Sequence, residues 1–209
     1  MLIIGIVGKK ESGKTTLSDM LKQFFGQNVK EIAFGDALKE MLILADMVTP
    51  NEVFIKKTKL SRWLMQKVGT NIFRDQVDPN YWVKQMQIKL NKIKDENPNT
   101  IVIIHDMRFL NEANLVTNNK GILIRITRPD SKWKRWFSWF FKKDDHRSET
   151  EQDDIPVFCT IPNDSSLDDL WKEVESIAGP LLQKYCADVV KKTGARYINQ
   201  RLYMPYEKG

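Results

Sequence analysis

Cysteine is scarce in this chain of 209 residues: Cys159 and Cys186 are the only two, and they form no spacing motif. That usage suits a reducing compartment and gives no sign of a disulfide-stapled scaffold. Long apolar runs are missing as well. The run from residue 2 to residue 7 is followed at once by glycine and lysines, so it reads as a strand rather than a secretory leader. Nothing approaches the roughly 20 consecutive apolar residues of a membrane span. Internal repeats and long low-complexity linkers are absent too. What is present is ordinary for a soluble globular protein: 42% hydrophobic and 29% charged residues, in a length that suits a single domain over 1–209. The net charge of +6 favours anionic ligands. Small molecules and nucleic acid both meet that description, and charge does not choose between them.

One stretch organises the rest. Gly8-Lys9-Lys10-Glu11-Ser12-Gly13-Lys14-Thr15 fits the phosphate-binding pattern G-x-x-x-x-G-K-[ST] at every fixed position. An apolar run precedes it, and Leu17, Met20, Leu21, Phe24 and Phe25 come after it at helical spacing, with Gly26 as a stop. Strand, glycine loop and helix in that order aim successive backbone N–H groups at one anion, and the helix start adds partial positive charge. Gly8, Lys10, Ser12, Gly13, Lys14, Thr15 and Thr16 are the candidate cradle for ATP. Lys14 is expected to reach the β- and γ-phosphates, and Thr15 to hold Mg²⁺ through its hydroxyl.

Strands and helices then alternate. Residues 29–34 read as a second strand, with Asp36 capping the helix that carries Leu38, Met41 and Leu42. Residues 60–77 read as helical with an interruption near Gly69-Thr70-Asn71, and Asp78-Pro79 as the cap and first turn of the next helix. Residues 101–104 form a buried strand that ends in His105-Asp106, and 122–126 another. Residues 128–150 break all periodicity. A short strand at 157–161, a helix at 166–177, a further helix opened by Gly179-Pro180 and an irregular tail complete the chain. The expectation is an α/β fold: a parallel sheet of about five strands with helices on both faces.

Asp106 is the second anchor. An acid at the carboxyl end of a parallel strand stands where open α/β sheets bind ligands and could hold Mg²⁺ beside Thr15. The alternative is that it only caps the next helix. Arg108 and Glu112 come next, either as site residues or as a buried ion pair.

The run Asp106-Met107-Arg108-Phe109-Leu110-Asn111-Glu112-Ala113 closely resembles the D-x-R-F-x-N-E-A element of phage-type deoxynucleoside monophosphate kinases. Gly8 to Lys14 resembles that family's G-K-K-x-S-G-K. Residues 33–40 are similar to its A-F-A-D-P-L-K-E, with Gly35 and Ala37 departing. Residues 64–74 resemble its L-Q-x-x-G-T-x-x-x-R, Trp82 its next tryptophan, and residues 145–149 its D-H-x-S-E. The matches run in order from residue 4 to about 175.

The resemblance implies a three-layer P-loop kinase fold with a mobile lid and ATP-dependent phosphorylation of a deoxynucleoside monophosphate, in a homodimer in the cytoplasm (the host's, if the chain is viral), with neither nucleic acid nor membrane as a stable partner. The acceptor region spans about 36–97, where Asp36, Lys39, Trp63, Gln66, Thr70, Arg74 and Trp82 are candidate contacts. Arg74 suits the acceptor phosphate because guanidinium grips it with two hydrogen bonds. Trp63 and Trp82 are either stacking platforms or core. The lid, 128–150, offers Arg128, Arg135 and Arg147 for the transition state, with His146 and Glu149 as further contacts. Asn163 falls where related kinases touch adenine. The aromatic cluster over 133–141 either packs under the lid, forms a subunit contact, or meets a membrane or nucleic acid. Two rivals stay open: a kinase of another small phosphorylated acceptor, of the dephospho-coenzyme A or phosphomevalonate type, and a nucleotide-dependent nucleic-acid-binding protein.

Overall fold

In the computed structural model, residues 1–129, 151–193, 196–198 and 201–203 are described. Five parallel strands form one sheet: β1 (Leu2–Val7), β2 (Val29–Ile32), β3 (Ile101–Met107), β4 (Ile122–Thr127) and β5 (Cys159–Pro162), in the order β2-β3-β1-β4-β5. The central strand β1 pairs with β3 on one side and β4 on the other, with Leu2 opposite Ile101 and Ile4 opposite Ile122. A β-strand sends alternate side chains to opposite faces, and both faces here are apolar. Ile4, Ile6, Ile101, Ile103, Ile124 and Ile126 pack against Leu17 and Leu21 of α1 (Lys14–Phe25) and against Leu170, Val174 and Ala178 of α6 (Leu167–Thr193). Ile3, Val7, Val102, Ile104 and Met107 face the other way. They meet α2 (Gly35–Leu44), α4 (Tyr81–Glu96) and α5 (Leu110–Asn118). Three layers result, as the alternation of elements requires.

Several local expectations change. Asp36 lies inside the first turn of α2 rather than capping it, and its carboxylate accepts from the Ala33 N–H at 2.8 Å. Asp78 stands one step back from α4: its oxygen accepts from the Asn80 N–H, and the helix opens at Tyr81. The expected interruption after residue 66 is a change of helical pitch. Beyond a π turn at Asn51–Ile55, α3 (Lys59–Gln66) runs straight into a π segment, Lys67–Val77. Gly69 lies where a Cβ would meet Leu38 at 2.5 Å, so the glycine lets the segment close onto α2. Gly179-Pro180 does not open a new helix either. α6 runs through Pro180, which is exposed like Ser176 four residues earlier, so water can satisfy the carbonyl that proline leaves unpaired. The tail contains an antiparallel pair, β6 (Arg196–Ile198) with β7 (Arg201–Tyr203), rather than irregular chain alone.

Candidate functional site

The loop after β1 has the geometry the pattern demands. Gly13 is the N-cap of α1 at φ 104°, a left-handed conformation that glycine adopts without strain, and a Cβ there would strike Asn163 Nδ2 at 2.3 Å. No side chain caps the helix, so its first N–H groups stay open to an anion. The Lys14 ammonium folds back onto the loop and donates to the Gly8 and Lys9 carbonyls at 2.5 and 2.7 Å. Ser12 is buried, and its hydroxyl has no partner. A phosphate in the loop would supply one, so the residues present fit a nucleotide.

Asn163 holds this loop from behind. Its side-chain amide donates to the Ser12 carbonyl at 2.9 Å, its backbone N–H donates to the Thr127 carbonyl, and the residue is 6% exposed. The amide's N–H thus serves the loop's backbone, and a contact of Asn163 with adenine stays a proposal. Beside the loop lies a cavity of about 350 Å³, lined by Lys9, Lys10, Ser12, Arg125, Arg128 and Asp153 among others. Arg125 was not singled out from sequence. Its guanidinium donates to the carbonyls of Gln152, Asp153 and Ile155, and so ties the 3-10 turn Glu151–Asp154 to β4. Arg135, His146, Arg147, Glu149 and the aromatic cluster over 133–141 lie outside the described residues.

A second cavity, about 510 Å³, opens across the carboxyl end of β3. Lys39, Gln66, Thr70, Arg74, Trp82, Asp106, Arg108 and Glu112 all line it, together with Lys57 and Arg62, neither of which was singled out from sequence. Trp63 is not among the lining residues and is 55% exposed. Asp36 lies beside the cavity rather than in it, paired with Lys39 and Lys89. Burial alone would raise the Asp36 carboxyl, but the Ala33 N–H and the two ammonium groups outweigh it and hold it below the ordinary value. Trp82 is core, 6% exposed. Its indole N–H donates to the Gly69 carbonyl, and its ring meets Phe73 and Tyr81.

Glu112 does pair with an arginine, but with Arg74 rather than Arg108. The Arg74 guanidinium lies 2.6 Å from Glu112 Oε1 and 3.7 Å from the centre of the Phe109 ring. The other carboxylate oxygen accepts the backbone N–H groups of Arg108 and Phe109. With 3% of its side chain exposed, Glu112 is pushed by burial up to about 7, against the pull of Arg74. Asp106 likewise serves the backbone: its two oxygens accept from Phe34 N–H at 2.8 Å and Gly35 N–H at 2.9 Å. It does not cap the next helix, α5. It ties down the start of α2, while each oxygen keeps a lone pair for a water of a hydrated ion. One hydroxyl, Thr15, and one partly engaged carboxylate suit Mg²⁺, which keeps several of its waters and takes phosphate oxygens. Among the described residues, no group of three or more His, Cys, Asp or Glu side chains forms a dedicated metal cage.

The sheet order, the glycine loop after the central strand and the acid at the end of its neighbour define a P-loop nucleotide-binding fold. The family model for deoxynucleotide monophosphate kinase matches residues 45–174, more than half of the chain. The chain belongs to that family, and it is a nucleotide kinase. A protein of Acanthamoeba polyphaga mimivirus named "Putative deoxynucleotide monophosphate kinase" is 28% identical over 193 residues, spanning 84% of this chain and 95% of its own length. Similar solved structures include TT1252 from Thermus thermophilus, at 18% identity and TM-score 0.47, covering 86% of this chain and 97% of that one. Dephospho-CoA kinase from Campylobacter jejuni is 17% identical at TM-score 0.46, covering 86% and 96%.

Proposed function

We propose that the protein transfers the γ-phosphoryl group of ATP to the 5′-phosphate of a deoxynucleoside monophosphate, giving ADP and the deoxynucleoside diphosphate. The observation that carries this reading is a pair of cavities at one sheet edge. One borders the glycine loop of β1, and the other, rich in cations, opens at the end of the adjacent strand β3. Transfer between two anions requires that arrangement, because both partners and the moving group are negatively charged.

An oxygen of the acceptor phosphate attacks the γ-phosphorus while the bond to the β–γ bridging oxygen breaks, and ADP departs with that oxygen. No proton has to leave the nucleophile, so no general base is needed. Lys14 leaves its parking place on the Gly8 and Lys9 carbonyls and turns to the β- and γ-oxygens. Thr15 and Asp106 would hold Mg²⁺, which would supply positive charge to offset that of the phosphates. Arg128, exposed at the end of β4 and lining the loop-side cavity, covers the transferring group from the lid side, with Arg135 and Arg147 as its proposed companions. Gln66 and Thr70, one turn apart, offer the acceptor's base an amide and a hydroxyl. The same proposal includes a homodimer acting in deoxynucleotide supply in the host cytoplasm, supported by the resemblance and the viral relative.

Coupled ADP release against a panel of nucleoside and deoxynucleoside monophosphates, dephospho-coenzyme A and phosphomevalonate tests this. Turnover with one or more deoxynucleoside monophosphates is expected. Turnover only with another acceptor, or slow hydrolysis stimulated by DNA and no transfer, overturns it.

A further inference from the structure

The β3-end cavity contains more positive charge than its own carboxylates can answer. Arg74 is taken by Glu112, and Lys39 lies 3.2 Å from Asp36. The Asp106 oxygens are given to two backbone N–H groups. Lys57, between the π turn and α3, and Arg62, in the first turns of α3, both line the cavity without an ion pair to any carboxylate among the described residues. Thr58 fixes their spacing, since its hydroxyl caps α3 by accepting the Ser61 N–H at 3.1 Å.

We propose that Lys57 and Arg62, with Arg108, grip the terminal phosphate monoester of the acceptor, and that Arg74 braces the pocket wall instead of binding that phosphate. The inference rests on the kinase reading and names the residues that carry its acceptor specificity. Arg74 is poorly placed for the grip. It is 11% exposed, stacked on Phe109 and held by a buried carboxylate, so turning it to a ligand would strand Glu112. Lys57 is in the opposite condition. Although the residue is exposed, partial desolvation on the cavity side and then the neighbouring charges of Lys39, Arg108 and Arg62 lower its ammonium from the ordinary lysine range, and only Asp106 pulls the other way. Crowded like charges cost stability unless an anion arrives to relieve them. A phosphate dianion does so, and a nucleoside without its phosphate does not. The grip thus makes the 5′-phosphate, not the base, the entry requirement.

The test measures KM for the best monophosphate of the panel, and for ATP, in Lys57→Met, Arg62→Gln, the double variant and Lys57→Arg. The expected rise in acceptor KM is about ten- to a hundredfold for each single charge removal, with ATP KM unchanged and the melting temperature equal to or above that of the wild type. Lys57→Arg restores affinity. It also removes the alkaline limb that the wild type shows as Lys57 loses its proton among Lys39, Arg62, Arg108 and Asp106, because arginine stays charged. A second readout is direct. Inorganic phosphate, titrated calorimetrically with Mg·ADP filling the glycine loop, should bind wild type and lose binding in the double variant. An active wild type whose double variant keeps acceptor KM within twofold and still binds phosphate overturns this inference and leaves the kinase reading standing. A wild type that turns over no nucleoside monophosphate overturns the kinase reading instead. Phosphate binding that still depends on Lys57 and Arg62 would then keep the anion grip alone.

Discussion

The two phosphate sites proposed for this protein are built from different materials. On the donor side, the anion is met by backbone: a left-handed glycine, an uncapped helix start and one lysine that rests on its own loop. On the acceptor side, the proposed grip is made of side chains from the turn before α3, from α3 and from the end of β3, over a wall fixed by a buried ion pair. Backbone donors are spaced by covalent geometry and need little support, whereas long cationic side chains must be held in place and kept apart from carboxylates that would quench them. The donor side can therefore be disabled without loosening the fold. The acceptor side cannot be altered at its brace without loosening it.

The sharpest way to break that contrast is Lys14→Ala. Turnover should fall by about 10²–10³-fold or more, while the melting temperature stays put, because Lys14 Nζ donates to carbonyls of its own loop. A large drop in melting temperature would contradict it. Arg74→Met should behave in reverse, costing on the order of 3 kcal/mol of stability in urea unfolding by stranding Glu112. Gly69→Ala pushes a methyl into Leu38 and should cost about 1–3 kcal/mol, with acceptor KM rising alongside. Asn163→Ala joins the two cases. It removes the buried donor to the Ser12 carbonyl, so about 1–2 kcal/mol of stability should go together with a few-fold rise in ATP KM.

The buried brace also predicts a pH dependence of stability. Glu112 holds its proton up to about 7 when folded, against an ordinary value near 4.5. Between those limits the folded state binds more protons than the unfolded state, so stability falls as pH rises through the window and levels off above it. Urea midpoints from pH 4.5 to 8 should show that slope, and Glu112→Gln should flatten it.

The donor loop was legible in the sequence because its geometry is local: two glycines, a lysine and a strand-helix pattern fall close together at the start of the chain. Asp106 was legible for a similar reason, since it ends an apolar run. The acceptor wall was only partly so. Its cation-bearing stretch was identified, but the partner of Glu112 is 38 positions away, and nothing in the spacing distinguishes Arg74 from Arg108 as that partner. Lys57 and Arg62 sit in a basic run that reads as a solvated surface until folding turns them onto one cavity. Pro180 misled for an energetic reason. A proline tolerated in an exposed helix face looks, in sequence, the same as one that starts a helix. The family match, over residues 45–174, begins after the glycine loop, so membership is carried by the acceptor half and by the strands and helices C-terminal to it.

The most direct test of the central claim tracks the phosphoryl group itself. ATP labelled at the γ-phosphate is incubated with the enzyme, Mg²⁺ and a deoxynucleoside monophosphate, and the products are separated. Phosphoryl transfer predicts label in the β-position of the deoxynucleoside diphosphate, matched one to one by ADP. Label recovered only as inorganic phosphate, with the monophosphate unchanged, would contradict it.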